Sequence, residues 1–319
     1  MNEGGGSGEQ LRIRYHRDFD GMVSGAVLAH VLRERGESPI LLSVNYDERK
    51  NWDDFEAGRR FAVVDFHFHP RAEYWFDHHP TTFLSKELRE RYEPSDRWLW
   101  DESSLSCPPL ILAHAKEHFG YEPPDRFVEA AYWSDIIDAA RFESVDQAIF
   151  GDDPALRIMR ALTAAPNPSW VDEIATALVD SSLTDVALRA DVEKVHERAS
   201  RNRDKALEQF PPTVQWVRGG VVFYDASSSK IRRERFAPFY HHPQVSYAVG
   251  VIPTRAGFHI TCGENPWNQP EDGLHIGEMM EAYGGGGHRA VGGANPPSLD
   301  DARRLGLEVA ETLRRHLAG

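Results

Sequence analysis

The histidines and aspartates of this chain include four tight groups. His16, Asp18 and Asp20 occupy alternate positions in HRDFDG, Asp65 closes VVD, Asp77, His78 and His79 are consecutive, and Asp135 and Asp138 sit three apart in SDIID. Imidazole nitrogens and carboxylate oxygens together are donors for divalent first-row ions, and the mixture suits Mn²⁺ better than an all-oxygen calcium site or a thiolate zinc site. The chemistry open to such a centre is hydrolysis at phosphorus, in which two ions roughly 3.5 to 4 Å apart activate water and neutralise the entering and leaving oxygens. Singly, each group has a plainer use. HxDxD after a strand serves as a turn or helix cap, Asp65 as a strand-end cap, and SDIID as a solvated helix pair. An Asp-His-His run directly after an apolar strand already leans towards metal binding.

The elements that must position these groups follow from apolar periodicity. Residues 11–15 alternate as a strand, 21–35 carry apolar residues at helical spacing, and 39–46, 61–65 and 74–77 read as buried strands. Alternating strands and helices predict an α/β fold with a parallel sheet. His16, Asp65 and Asp77 to His79 then lie at the carboxyl ends of strands, the edge where open α/β sheets bind ligands. If the segment after the first strand stays extended, positions 16, 18 and 20 point the same way. Asp135 and Asp138 share one face of a helix.

From 104 to 205 the pattern is helical, and Pro211 and Pro212 mark a boundary. Beyond it, GGVVFYDA, VSYAVGVIP and FHITCG predict a second sheet, GLHIGEMMEAY a helix, and 298–318 a closing helix. The run Gly284 to Gly287 before His288 has two readings: a nest of backbone N–H groups facing an anion, or a helix C-cap at Gly284. Arg289 and Arg255 read equally as substrate contacts or solvated charges.

With 319 residues and 41% hydrophobic content, two domains are expected. The net charge of −14 disfavours a long nucleic acid, which asks for a basic surface. No apolar run reaches the about 18 residues of a membrane span, and the first ten residues read as a disordered polar N-terminus rather than a signal peptide. Two cysteines, Cys107 and Cys262, suggest neither disulfides nor a thiolate site and fit a cytoplasmic protein.

These motifs resemble the DHH phosphoesterase superfamily, the first as His16 to Gly21, the second as Asp65, the third as Asp77-His78-His79 and the fourth within Ser134 to Asp138. The C-terminal half resembles the DHH-associated domain through the GGGGH run with Ala290, Gly292 and Gly293. The resemblance implies an N-terminal parallel-sheet DHH domain joined by helices to a smaller α/β C-terminal domain: residues 11–150, a helical connector at 151–212, and a substrate-binding domain at 213–319. It implies two Mn²⁺ ions, with Mg²⁺ or Co²⁺ as substitutes. One is held by His16, Asp18 and Asp65, the other by Asp20, Asp65, His78 and either Asp135 or Asp138, with Asp65 bridging. Asp77 would orient from behind and His79 contact phosphate, while Gly285, Gly286, Gly287, His288 and Arg289 would grip substrate.

The implied activity is a phosphoesterase of short oligonucleotides or small nucleotides such as nanoRNA, linear dinucleotides or pAp. The alternatives are an exopolyphosphatase or other small-phosphate hydrolase, and a non-catalytic nucleotide-binding sensor. No long duplex and no membrane partner is expected, and a homodimer stays open. The ENPWN segment at 264–268 departs from the commonest form of the family.

Overall fold

Ile13 and Tyr15 are fully buried while Arg12, Arg14 and His16 between them are half-buried, the alternation of a strand with one face on a core. This strand, β1 (Arg12–His16), belongs to a five-stranded sheet with β2 (Ile40–Val44), β3 (Phe61–Val64), β4 (Trp75–Asp77) and β5 (Trp98–Trp100). The order is β2-β1-β3-β4-β5 and every pairing is parallel. Register aligns Tyr15 with Ser43 and Val64, and Val64 with Phe76. The residues after these positions therefore come out at one edge. The chain leaves β1 for β2 on one side and returns as β3 on the other, which places a topological switch point between His16 and Asp65.

The computed structural model describes residues 9–229, 233–254 and 257–319, without the side chain of Asp47. Residues 1–8 of the expected disordered N-terminus and Arg255 lie outside them. By its contacts the chain divides into one unit of Met1–Arg141 with Asp152–Ala199 and a second of Phe142–Gly151 with Ser200–Gly319.

In the first unit, α1 (Phe19–Glu34) is buried almost all round from Phe19 to Leu32, the pattern of a core helix rather than a surface one. It packs on β1, on α3 (Cys107–Phe119), which follows a short α2 (Lys86–Arg91), and on α4 (Asp125–Asp138). Fully buried Val27 and Leu28 contribute about 1.5–3 kcal/mol each. The segment expected as a connector, 151–212, instead supplies much of this core. After α5 (Val145–Phe150), which joins the second unit, come α6 (Pro154–Leu162), α7 (Pro168–Asp180), α8 (Leu183–Ala187) and α9 (Ala190–Gln209). Ile158, Ile174, Leu178 and Val192 pack into the same core as α1.

The second unit holds a six-stranded sheet of order β10-β11-β9-β8-β7-β6. Its strands are β6 (Val214–Arg218), β7 (Val221–Asp225), β8 (Tyr247–Thr254), β9 (Gly257–Glu264), β10 (Gly286–Gly287) and β11 (Val291–Ala294). Only β7 and β8 pair in parallel. The helices here are α10 (Ala237–His241), α11 (Ile276–Glu281) and α12 (Leu299–His316). The apolar stripe of α12, including Ala302, Val309 and Leu313, covers Phe223, Val249 and Val251 of the sheet. Among the described residues no helix is long and apolar enough to cross a membrane.

Candidate metal centre

β1 ends on His16, and two residues later the chain turns into α1. Asp18 caps that helix, its Oδ1 accepting from the Gly21 backbone N–H at 2.9 Å, while its Oδ2 lies 2.7 Å from His16 Nδ1. The cap and the cluster are thus served by one carboxylate. The helix begins at Phe19, so Asp20 is brought in by the first helical turn and not by strand alternation, as an extended segment would require. Gly21 is set by space, because a Cβ there would lie 2.2 Å from the His16 carbonyl oxygen.

Asp65 follows β3 with φ of 53°, a left-handed conformation that aspartate tolerates better than most residues and that concentrates at functional sites. Its N–H donates to the Phe76 carbonyl at 2.8 Å. One oxygen lies 3.7 Å from His16 Nδ1; the other is 3.5 Å from His78 Nε2 and 3.6 Å from His79 Nδ1. His78 Nε2 also faces Asp20 at 3.5 Å and Asp138 at 3.6 Å. Behind these, Asp77 Oδ1 accepts from the His78 backbone N–H at 2.9 Å and lies 2.8 Å from His79 Nδ1.

The donor atoms fall into three overlapping sets, each within 4.8 Å: His16, Asp18 and Asp65; Asp20, His78 and Asp138; and Asp65 with Asp77, His78 and His79. Asp65 and His78 each belong to two. Of the two aspartates in SDIID, Asp138 enters a set while Asp135 accepts from the Ser106 hydroxyl at 2.6 Å. Asp138 is the last residue of α4. A carboxylate there opposes the helix dipole, an arrangement a cation would reverse.

A metal's fit to these residues rests on unsatisfied groups. Asp20 Oδ1, both oxygens of Asp65, Asp77 Oδ2 and His78 Nε2 are buried without a hydrogen-bond partner among the described residues. Unpaired carboxylate oxygens are costly to bury. That so many of them face one another is accounted for by divalent cations and not by the protein alone. Charge tells the same story. Burial and the neighbouring Asp65, Asp138 and Asp18 push Asp20 well above the carboxylate range, and burial with Asp65 and Asp18 raises Asp138 to about 6. Burial would lower the histidines, yet Asp18 and Asp65 raise His16 to about 12, and Asp77 raises His79 to about 10. Asp65, which burial would raise, is held low by the imidazoles of His16, His78 and His79 that face its two oxygens. Without a cation the cluster therefore holds protons that a metal would displace.

Sequence reasoning missed several supporting groups. The Ser104 carbonyl lies 3.2 Å from His78 Nδ1, which aims Nε2 at the cluster. The Cys107 backbone N–H donates to Asp20 at 3.0 Å. Tyr46 and Phe66 pack against the His16 ring at 5.0 and 5.8 Å. Backbone carbonyls and amides carry no residue signature, so nothing in the motif spacing points to the first two.

In the second unit the nest reading of the glycine run gives way to another. The N–H groups of Gly284 and Gly285 donate to the Glu281 and Met280 carbonyls, ending α11, and that of His288 donates to Val291. Gly286 and Gly287 pair with Gly293 and Gly292 across the β10–β11 hairpin. The backbone amides of Gly284, Gly285 and His288 are thus committed to carbonyls. Gly287, at φ 155°, is required because a Cβ would meet the Val291 carbonyl at 2.3 Å. Arg289 donates to the Gly273 carbonyl at 3.2 Å from an exposed position.

No family model and no curated protein matches the chain. Solved structures do. A pGpG-specific phosphodiesterase from Vibrio cholerae superposes with a TM-score of 0.69 at 18% identity, covering 97% of this chain and 99% of its own. An exopolyphosphatase-related protein from Bacteroides fragilis gives 0.58 at 11% identity, covering 98% and 94%. RecJ from Thermus thermophilus in complex with Mn²⁺ gives 0.52 at 12% identity, covering 98% of this chain and 52% of that one. At these identities the fold is what is shared, and it is that of DHH-domain proteins.

Proposed function

On a DHH-type fold, we propose that this chain is a metal-dependent phosphoesterase of short oligonucleotides or small nucleotides, such as nanoRNA, linear dinucleotides and pAp, acting in the cytoplasm. The observation that carries the reading is the set of buried, unpartnered acceptors on Asp20, Asp65 and Asp77 around His78. A bound pair of Mn²⁺ ions, or Mg²⁺ or Co²⁺ in their place, would supply the Lewis acidity and the activated water.

The residues divide the remaining work. His16 and Asp18 hold one side and Asp20, His78 and Asp138 the other, with Asp65 shared between them. Asp77 fixes the His79 ring through Nδ1, and His79 is assigned to contact a phosphate oxygen. His288 and Arg289, on the hairpin after α11, are assigned to a more distant part of the substrate, with Gly285, Gly286 and Gly287 shaping that hairpin. The net charge of −14 favours small substrates over long polyanions.

The test is turnover with Mn²⁺ against short RNA and DNA, pGpG, pApA, adenosine bisphosphate, pyrophosphate and polyphosphate. Cleavage of the short nucleotides that Asp65→Asn abolishes supports the reading. Preference for polyphosphate would move it to the exopolyphosphatase class, and tight nucleotide binding with metal but no turnover would make the protein a sensor.

A further inference from the structure

Tyr46 is 46% exposed and packs against a residue of the metal cluster, a position to which the phosphoesterase reading gives no task. It follows β2 closely, and Val44 at the end of that strand lies level with His16 on β1. The chain therefore delivers Tyr46 to the same sheet edge as the cluster. Its ring centroid is 5.0 Å from that of His16, with the planes at 61°, and 5.4 Å from that of Phe66.

The ring is held in place by its own segment and by the core. Tyr46 opens the 3₁₀ segment Tyr46–Asp54, and the Asn45 side chain accepts from its backbone N–H at 2.8 Å. Phe66, 3% exposed and itself packed on Trp52 at 5.5 Å, backs the ring. Phe66 also stacks on His16 with the planes only 29° apart, so the imidazole already has a buried aromatic to orient it. Tyr46 is not needed for that, and nearly half of its surface faces solvent. An aromatic ring fixed in this way beside a phosphate-binding centre has the chemistry of a stacking platform, since every nucleobase has a π-face. Exposed Arg49 places its Cζ 5.8 Å from the Tyr46 centroid, at the outer limit of a cation–π contact, which is loose enough to yield to a base.

We propose that Tyr46 stacks on the nucleobase of the nucleotide whose phosphate sits at the metal centre. The inference rests on the metal-centred reading for where the phosphate lies, and it narrows the substrate class: a base adjoins that phosphate on the His16 side. Pyrophosphate and polyphosphate have no ring to offer. Stacking tolerates every base, so Tyr46 separates a nucleotide from a bare phosphate ester and does not choose adenine over guanine.

The test is calorimetric titration of the full chain in Mn²⁺ with AMP and with ribose 5-phosphate, which has the sugar and phosphate without the base. Initial-rate KM replaces Kd if either monoester is hydrolysed. AMP should bind about 5- to 150-fold more tightly, the range that one stacked base supplies. Tyr46→Ala should remove that advantage and leave ribose 5-phosphate unchanged, whereas Tyr46→Phe and Tyr46→Trp, which keep a ring, should preserve it. Thermal melts confirm that each variant is folded. An AMP advantage that survives Tyr46→Ala would overturn the assignment. An equal loss of both ligands in that variant would also overturn it, by making Tyr46 a support for His16. Ribose 5-phosphate binding as tightly as AMP to the wild type refutes the stacking alone, and failure of both to bind refutes the metal-centred reading with it.

Discussion

Asp20→Asn should change stability in opposite senses with and without metal. Asp20 is 2% exposed; its Oδ2 accepts from the Cys107 N–H, while Oδ1 has no partner among the described residues. Burial and three neighbouring carboxylates press it towards the protonated form. Asparagine keeps an oxygen for Cys107 and removes the charge, so the metal-free variant should be more stable than wild type by about 1 kcal/mol, or about 2–4 °C in Tm for a unit of this size. With Mn²⁺ at about 100 times its Kd, wild type gains about 2.7 kcal/mol, whereas a variant binding about 100-fold more weakly gains only about 0.4. The Mn²⁺-induced rise should therefore be about 5–10 °C for wild type and about 1 °C for Asp20→Asn. Scanning calorimetry in chelator and in Mn²⁺ reads both. A variant less stable than wild type in chelator, yet stabilised equally by Mn²⁺, would refute the account of Asp20 as a strained ligand.

Asp138→Ala should cost about 100-fold or more in Mn²⁺ affinity, the scale of losing a metal-site residue. Asp135→Ala should keep that affinity and lose about 1–2 kcal/mol of stability by stranding the Ser106 hydroxyl; isothermal titration and melts separate the two. Metal-free stability should fall as pH rises. His79 has a folded-state pKa raised to about 10, so its contribution is complete below the ordinary value of 6.5 and is lost as pH climbs through about 10. Mn²⁺ affinity should rise over the same interval because the ligands must shed protons, and melts from pH 6 to 10 with and without Mn²⁺ check both slopes. His288→Ala should raise KM for a dinucleotide without altering Mn²⁺ content, and loss of metal in that variant would remove His288 from the substrate side. Gly287→Ala should lower the melting temperature of the second unit, because its Cβ has no room beside Val291.

The first sheet was readable because its strands are apolar runs and its ligands follow them directly, as His16 follows β1 and Asp65 follows β3. β5, three residues at Trp98–Trp100, is too short to show periodicity. β10 and β11 are mostly glycine, so the pattern that suggested an anion nest concealed a hairpin. Residues 151–212 looked like a connector because charged faces outweigh the apolar stripe in the sequence, although Ile158, Ile174, Leu178 and Val192 of that stretch complete the first core. The choice between Asp135 and Asp138 depended on Ser106, 29 positions before Asp135 in the chain. Helical spacing puts both aspartates on one face and cannot choose between them.

Diffraction at the manganese absorption edge from crystals of the full chain grown in Mn²⁺ tests the paired centre most directly. The account predicts two anomalous peaks, one contacted by His16, Asp18 and Asp65 and the other by Asp20, Asp65, His78 and Asp138. A single peak away from Asp65, or none at the cluster with Mn²⁺ in excess, would contradict it.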